Sequence, residues 1–301
     1  MKIIYSILPI FQFKVIVTNI EMVFIKSPFV LLLLFIAAPA FAQTTPEELY
    51  SKADSLLKSG DYVSAIDVYS EYITSVNDNP DAYMDRAVAY LSLEKYGEAL
   101  ADCDRVIELD SLNSKAYSTR GAILLLQKDI SGAEKDLKRS LEIEPRNVTS
   151  LNSLAALYSN QNNFEEAVKW FEKALEVAPG SGETLRNLSA LYFHMEDYDK
   201  ALEVINKAVT AEPSNYKNFN VRGAVYYYME DYDNALADYN EAIFIQPNNG
   251  EAYVRRGILY LQKENYRKAV EDMEKGFQLN PEFRESARSY YEEALRKKEN
   301  K

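Results

Sequence analysis

Histidine, cysteine and glycine are scarce in this sequence. Its 301 residues include one histidine, one cysteine and ten glycines. His194 has no serine or cysteine placed as a partner for nucleophilic catalysis, and His194 and Cys103 lack further ligands at metal-site spacing. A single cysteine also excludes an intramolecular disulfide, even in an oxidising compartment. We therefore expect no enzymatic activity, no metal and no cofactor.

Long apolar runs and excess positive charge are also missing. The formal net charge is −12, and residues 1–42 contain more basic than acidic side chains, so their removal would make the chain more acidic still. A protein that binds nucleic acid through phosphate contacts needs the opposite sign of charge. We expect no nucleic-acid partner.

The one pronounced apolar run, Phe29 to Ala38, has ten residues and follows Lys26. That is half of the roughly 20 residues that span a bilayer, and small Ala40 and Ala42 follow it, as at a signal-peptidase site. We predict that residues 1–42 are a signal peptide, with translation starting at Met1 or at Met22. The mature chain would be periplasmic or secreted, with no membrane-spanning segment. The alternative is an uncleaved anchor.

The rest of the chain repeats every 34 residues without insertion or deletion, from 46, 80, 114, 148, 182, 216 and 250, over residues 46–283. Position 8 of each repeat is alanine, glycine or serine, and position 17 is large and apolar or aromatic. Position 20 is alanine in every copy: Ala65, Ala99, Ala133, Ala167, Ala201, Ala235 and Ala269. Such a pattern indicates a tight contact between helices in every repeat.

Two apolar faces follow one another within each repeat. Positions 4, 8 and 11 form the first face, and positions 17, 20, 21, 24, 27 and 28 form the second, both at helical spacing. After residue 42, proline occurs only at repeat boundaries, so it interrupts no helix. The pattern therefore predicts that each repeat forms two antiparallel helices. Residues 284–301 predict a capping helix and a charged tail.

Charged residues at positions 7 and 23 vary together. Four repeats combine arginine with aspartate: Arg86 with Asp102, Arg120 with Asp136, Arg222 with Asp238, and Arg256 with Asp272. The fourth and fifth repeats have leucine at position 7 and an apolar residue at position 23. This covariation within one chain predicts an internal ion pair between the two helices of a repeat. The alternative is that the arginines bind an external anion.

These features resemble the tetratricopeptide repeat family, with its aromatic residue at position 4, small residue at 8, tyrosine at 11 and alanine at 20. The resemblance covers residues 46–283. It implies an all-α, right-handed superhelical solenoid of antiparallel helix pairs with a C-terminal cap helix. It implies a binding scaffold, with the first helices lining a concave groove.

The resemblance also places ligand contacts at positions 2, 5, 9, 12 and 13 of the repeats. In the middle of the chain these positions are mainly apolar or carry amides, which suits a peptide. We expect the asparagines to face the groove, and the aromatic side chains either to contact a ligand or to pack between repeats. The candidate groove residues are Leu125, Asn152, Ala156, Asn160, Arg186, Ala190, Phe193, Asn220, Ala224, Tyr227 and Tyr228.

We expect a non-enzymatic scaffold or adaptor of the cell envelope that binds a protein or peptide in this groove. The alternative is a structural component that associates with itself into a homo-oligomer. One well-known subfamily clamps C-terminal carboxylates with asparagine at position 9 and lysine at position 5. Position 9 is aspartate, valine, alanine or isoleucine here, so that function is not expected.

Overall fold

Sixteen helices and their connecting turns form residues 44–299, the part of the chain that this computed structural model describes. The predicted signal peptide lies outside the described residues. Within residues 44–299 there is no strand, and no helix is long and apolar enough to cross a membrane. The all-helical fold expected from the sequence is confirmed.

Successive helices pack as antiparallel pairs, and each pair then packs against the next. The pairs are α1 (Pro46–Ser59) with α2 (Tyr62–Ser75), α3 (Pro80–Ser92) with α4 (Tyr96–Leu109), α5 (Ser114–Leu126) with α6 (Ile130–Ile143), α7 (Val148–Asn160) with α8 (Phe164–Val177), α9 (Gly182–His194) with α10 (Tyr198–Ala211), α11 (Tyr216–Tyr228) with α12 (Tyr232–Ile245), and α13 (Gly250–Gln262) with α14 (Tyr266–Leu279). Every first helix begins at the first residue of a 34-residue period.

Side-chain caps explain these starting points. From α3 onward, the residue before each first helix is asparagine or serine, and its side chain accepts a hydrogen bond from a backbone N–H of the first turn: Asn79, Asn113, Asn147, Ser181, Asn215 and Asn249. These bonds satisfy N–H groups that have no partner inside the helix. A short polar residue therefore marks where each repeat begins.

The turn inside each pair has the same backbone geometry. Position 15 has a positive φ in every pair, 82° at Gly60 and between 55° and 65° at the six residues that are not glycine. The backbone N–H of the following residue donates to a carbonyl near the end of the first helix. For example, the N–H of Lys95 donates to the carbonyl oxygen of Tyr90 at 2.9 Å. This left-handed residue ends the first helix and reverses the chain.

The core lies where small and large side chains of the two helices meet. All seven alanines at position 20 are fully buried. A Cβ added at Gly223 would lie 2.7 Å from Cε1 of Tyr239, whose side chain is buried. The small residues at position 8 therefore leave room for the large residues at position 24 of the second helix.

The four predicted arginine–aspartate pairs are present. In each pair, Nε and Nη2 of the arginine donate to the two carboxylate oxygens of the aspartate at 2.6–2.9 Å. Two parallel, charge-assisted bonds are the strongest geometry for this pair. The prediction of an internal ion pair is confirmed.

Each of these arginines also contacts the preceding helix pair, a contact that was not predicted from the sequence. The third nitrogen, Nη1, donates to position 25 of the preceding second helix. The acceptors are Ser70 Oγ at 2.9 Å, Asp104 Oδ1 at 2.6 Å, Asn206 Oδ1 at 3.0 Å and Asn240 Oδ1 at 2.7 Å. One guanidinium thus joins two neighbouring repeats.

The C-terminal cap is broken into α15 (Phe283–Ser286) and α16 (Arg288–Glu299). Ala287 and Ala294 are buried, and Tyr291 packs edge-on against Phe277 at a ring-centroid distance of 5.5 Å. Tyr290 is 39% exposed. Phe283, Ala287, Tyr291 and Ala294 pack together against the last helix pair on both sides of the break.

Candidate functional site

The first helices form one side of the solenoid. Helix α5 contacts α7, α9 contacts α11, and α11 contacts α13, in addition to their own partners. Beside α9, α11 and α13 this surface opens into a cleft with a volume of about 810 Å³. The cleft lies on the face where the sequence places the groove.

Six of the predicted groove residues line this cleft: Arg186, Ala190, Phe193, Asn220, Ala224 and Tyr228. They come from α9 and α11. Ala190 and Ala224 occupy position 9, where small side chains leave the space open. These two helices therefore supply the middle of the cleft.

The other five predicted residues do not line it. Leu125 lies on α5, while Asn152, Ala156 and Asn160 lie on α7. The amide nitrogen of Asn152 donates to Thr184 Oγ1 at 2.9 Å, so this side chain contacts the next repeat. Tyr227 packs against Tyr232, and burial raises the pKa of its hydroxyl. The ring of Tyr227 therefore packs against the second helix of its own repeat.

Asn220 is at the edge of the cleft but is almost inaccessible, with 3% of its surface exposed. Its Nδ2 donates to Glu251 Oε2 at 3.2 Å, and its Oδ1 accepts from Asn249 Nδ2 at 3.3 Å. Both amide atoms are therefore engaged at the start of α13, by its capping residue and its second residue. The structure gives this asparagine a connecting role between α11 and α13.

An aromatic edge, defined here as Phe193, Tyr198, Tyr227, Tyr228 and Tyr232, borders one end of the cleft. Phe193 and Tyr228 meet edge-on, with ring centroids 4.8 Å apart and an interplanar angle of 89°. The other rings continue the contact at 5.4–6.0 Å. Tyr228 remains 56% exposed. The edge offers rigid apolar area to a ligand.

Charged residues border the other end. Arg186 donates through Nη1 to Glu212 Oε2 at 3.1 Å and to Asn218 Oδ1 at 2.8 Å. Arg255 is held by Glu251, with Nε 2.8 Å from Oε1. Lys217 is exposed, and its ammonium has no hydrogen bond or ion pair within residues 44–299. The cleft thus has a polar, mainly basic end and an aromatic end.

Several cleft residues were not among the candidate groove residues, although Lys217 and Glu251 occupy position 2, which the resemblance assigns to the groove. They include Lys217, Glu251 and Arg255 on the first helices, and Asn248, Asn249 and Asn280 at the repeat junctions. The junction asparagines have a sequence signal, since they precede the first helices or end the repeats. Arg255, at position 6, had no such signal because the resemblance assigns no ligand contact to that position.

Family models of the tetratricopeptide repeat match residues 50–114, 112–180, 146–211, 217–249 and 250–283. Together they cover nearly all of α1–α14. The chain belongs to the tetratricopeptide repeat family. In general this repeat forms non-catalytic scaffolds for protein–protein interaction.

Curated relatives share only short segments with this tetratricopeptide repeat (TPR) protein. Human serine/threonine-protein phosphatase 5 is 45% identical over 64 residues, which are 21% of this chain and 13% of the phosphatase. Human mitochondrial import receptor subunit TOM34 is 37% identical over 65 residues, 22% of this chain and 21% of the receptor subunit. The likeness concerns repeat segments, not whole proteins.

Solved structures show the same fold over most of the chain. A TPR protein from Parabacteroides merdae has a TM-score of 0.64 at 20% identity, covering 83% of this chain and 98% of its own. The Cut9–Hcn1 structure has a TM-score of 0.69 at 15% identity, and the match covers 86% of this chain and 50% of the solved chain. Pseudomonas aeruginosa pilF has a TM-score of 0.60 at 18% identity, and the match covers 71% of this chain and 95% of the solved chain. At these identities the likeness shows the fold alone.

Proposed function

We propose that this TPR protein is a non-enzymatic adaptor that binds a polypeptide segment in the cleft beside α9, α11 and α13. The observation that carries the proposal is the open cleft itself, which has a volume of about 810 Å³ and is bordered by the exposed ring of Tyr228. Ligand sites combine apolar area with a few placed polar groups in this way. We also propose that the protein acts in the cell envelope after export, because its first 42 residues have the pattern of a signal peptide.

Site-specific photo-crosslinking in the native host tests the binding proposal. A photoreactive phenylalanine analogue at Tyr228, in the cleft, should trap a partner polypeptide that mass spectrometry identifies. The matched control carries the analogue at Phe244, which is 79% exposed and does not line the cleft. A partner trapped equally at both positions would contradict binding in the cleft.

The trapped partner should then bind the purified protein, and Phe193→Ala with Tyr228→Ala should weaken that binding. Asn220→Ala is a poor choice for this test, because Asn220 is buried and its loss would disturb the contact with α13. Undiminished binding by the folded double variant would show that the aromatic edge is not part of the site.

Self-association is a second candidate, favoured by exposed apolar side chains next to the aromatic edge. Met195 and Met229 are 38% and 37% exposed, in addition to Tyr228. Grouped exposed apolar residues often mark an interface. Light scattering over a range of protein concentrations should show a rising mass in this case. Crosslinks at Tyr228 would then join copies of the same chain.

Export has its own test. The mature protein isolated from envelope and culture fractions should begin at Gln43 when its N-terminal peptide is sequenced. Protein recovered only with residues 1–42 still attached would contradict the proposed cleavage.

A further inference from the structure

The charge of the cleft is opposite in sign to the charge of the whole protein. The chain has a net charge of −12. The cleft is lined by Arg186, Lys217 and Arg255, against a single acidic residue, Glu251. Glu212 compensates part of the charge of Arg186 through their contact of 3.1 Å. A local excess of positive charge in an acidic protein favours an anionic ligand at this place.

Lys217 is the cation available to such a ligand. Arg255 is already paired with Glu251, and Arg186 is held by Glu212 and Asn218. The equivalent position in the third repeat is Lys115, whose Nζ lies 3.9 Å from Asp85 Oδ1. Lys217 has no such carboxylate within the described residues, so its ammonium can pair with an incoming acidic group.

The basic and aromatic ends are separated by the length of α11. Lys217 and Tyr228 lie at the two ends of this helix, about 16 Å apart at 1.5 Å per residue. An extended peptide advances about 3.3 Å per residue, so about five residues would connect the two ends. A ligand that uses both ends therefore needs a defined spacing between its acidic and apolar groups.

Free amides in the cleft favour an extended ligand over a helical one. Asn187 and Asn248 are exposed in the cleft, and neither side chain makes a hydrogen bond within residues 44–299. A carboxamide can donate and accept, which matches the free N–H and C=O groups of an extended backbone. A helical segment would already have used those groups internally.

We propose that the cleft binds an extended segment of a partner protein that places an internal aspartate or glutamate at Lys217 and an apolar side chain against Phe193 and Tyr228. The two groups would be about five residues apart in the ligand. This inference rests on the proposed function and adds the chemical class of the ligand.

Fluorescence anisotropy with synthetic peptides tests the proposal. The probe is a fluorescein-labelled peptide, blocked at its C-terminus as an amide, with an Asp-Glu pair about five residues from a Phe-Leu pair. Its matched control has Asn-Gln in place of Asp-Glu. We expect roughly fivefold weaker binding of the control at low salt, as for a partly exposed ion pair. Added NaCl should weaken binding of the acidic probe and leave the control nearly unchanged.

Two further peptides test the geometry. One keeps the same residues but shortens the spacing to about two, so that both ends of the cleft cannot be reached together. The other has the acidic group only as a free C-terminal carboxylate. Both should bind more weakly than the probe. Tighter binding of the terminal carboxylate would overturn the assignment to an internal side chain.

Paired variants of the protein identify the side chains. Lys217→Glu should abolish the preference for the acidic probe over its control, whereas Lys115→Glu, at the same repeat position on α5, should preserve it. Tyr228→Ala should weaken binding of the acidic probe, whereas Leu126→Ala, at the same repeat position and 60% exposed, should not. These residues are exposed, so circular dichroism should show folded protein in every case.

Failure of this inference can be distinguished from failure of the proposed function. Equal binding of the acidic and neutral peptides would overturn the acidic-ligand proposal while polypeptide binding stands. If neither peptide binds, the proposal is overturned, and photo-crosslinking at Tyr228 still decides the proposed function separately. If Lys217→Glu instead dissociates a homo-oligomer, the occupant is a second copy of the chain and the partner-protein proposal is wrong.

Discussion

Arg222 shows how one side chain serves two repeats. Its Nε and Nη2 bind Asp238 at 2.8 and 2.7 Å, and its Nη1 binds Asn206 in the preceding pair at 3.0 Å. Burial raises the pKa of the Asp238 carboxyl, and Arg222 opposes that rise. The arginine therefore keeps a buried carboxylate charged.

Removing the arginine should be costly at neutral pH. Arg222→Ala leaves Asp238, which is 4% exposed, without its partner. We expect the free energy of unfolding to fall by about 3 kcal/mol, since part of the pair is in contact with water. The unpaired Asp238 has a raised folded-state pKa, so the loss should be small below the ordinary aspartate pKa and grow as pH rises. Urea unfolding at several pH values measures this.

The chain contains its own apolar control for that variant. In the fifth repeat the same two positions are Leu188 and Val204, both buried. Arg222→Leu combined with Asp238→Val should recover most of the stability lost in Arg222→Ala, because no charge is then left unpaired. A double variant as unstable as the single one would indicate that the contact with Asn206 dominates.

Cys103 illustrates an unreactive thiol. It is fully buried, and burial raises its pKa to about 12, with a smaller contribution from Asp102. We expect Ellman's reagent at pH 8 to label it only after the protein is unfolded in guanidinium. Unfolding restores an ordinary thiol pKa, so this residue's contribution to stability should decline as pH rises from about 9 towards 12. Rapid labelling of the folded protein would contradict the burial.

At the scale of helix pairs, the arginine bridges divide the solenoid. They join the first three repeats to one another and the last three to one another. The interfaces on either side of the fourth repeat lack them, and the apolar cluster shared by the fourth and fifth repeats includes Leu185, Leu188 and Phe171. The solenoid thus has arginine-bridged interfaces towards both ends and two interfaces without such bridges in the middle.

A transplanted pair tests which neighbours a bridge needs. In the double variant Leu188→Arg with Val204→Asp, the new arginine would lie beside Glu172, the residue at position 25 of the preceding pair. Leu154→Arg with Trp170→Asp would instead face Lys138. We expect the first double variant to be more stable than the second by about 1 kcal/mol, because like charges in contact repel. Equal thermal stabilities would show that position 25 does not matter.

At the scale of the whole molecule, each helix contacts mainly its sequence neighbours. A solenoid of this kind has no single central core, so its last repeat needs a cap to cover its apolar surface. Here α15 and α16 cover Val254 and Phe277, each 5% exposed. The polar outer side of α16 then faces solvent.

Damage to the cap should therefore remain local. Ala294→Asp introduces a charge at a fully buried position, whereas Ser289→Asp adds the same charge at an exposed one. We expect hydrogen exchange in α13 and α14 to accelerate at least tenfold in the first variant, because an unpaired buried charge costs several kcal/mol. Exchange in α1–α4 should not change. A uniform acceleration along the chain would contradict the local stability of a solenoid.

Local chemistry determined much of this protein from the sequence alone. The 34-residue period, the prolines at the boundaries and the invariant alanines predicted two helices in each repeat, since helical faces depend on residues close together in the chain. The arginine–aspartate pairs were also predictable, because the fourth and fifth repeats, with apolar residues at both positions, supplied the comparison. Their contacts with the preceding pair were not, because position 25 varies among serine, aspartate and asparagine.

The opening of the groove was decided only by tertiary structure. Asn220 and Lys217 belong to the same helix and both occupy positions that the resemblance assigns to the groove. The packing of α13 on α11 brings Asn249 and Glu251 against Asn220 and buries it, while Lys217 stays exposed. That difference depends on how one repeat is rotated against the next. Spacing along one helix contains no information about that rotation.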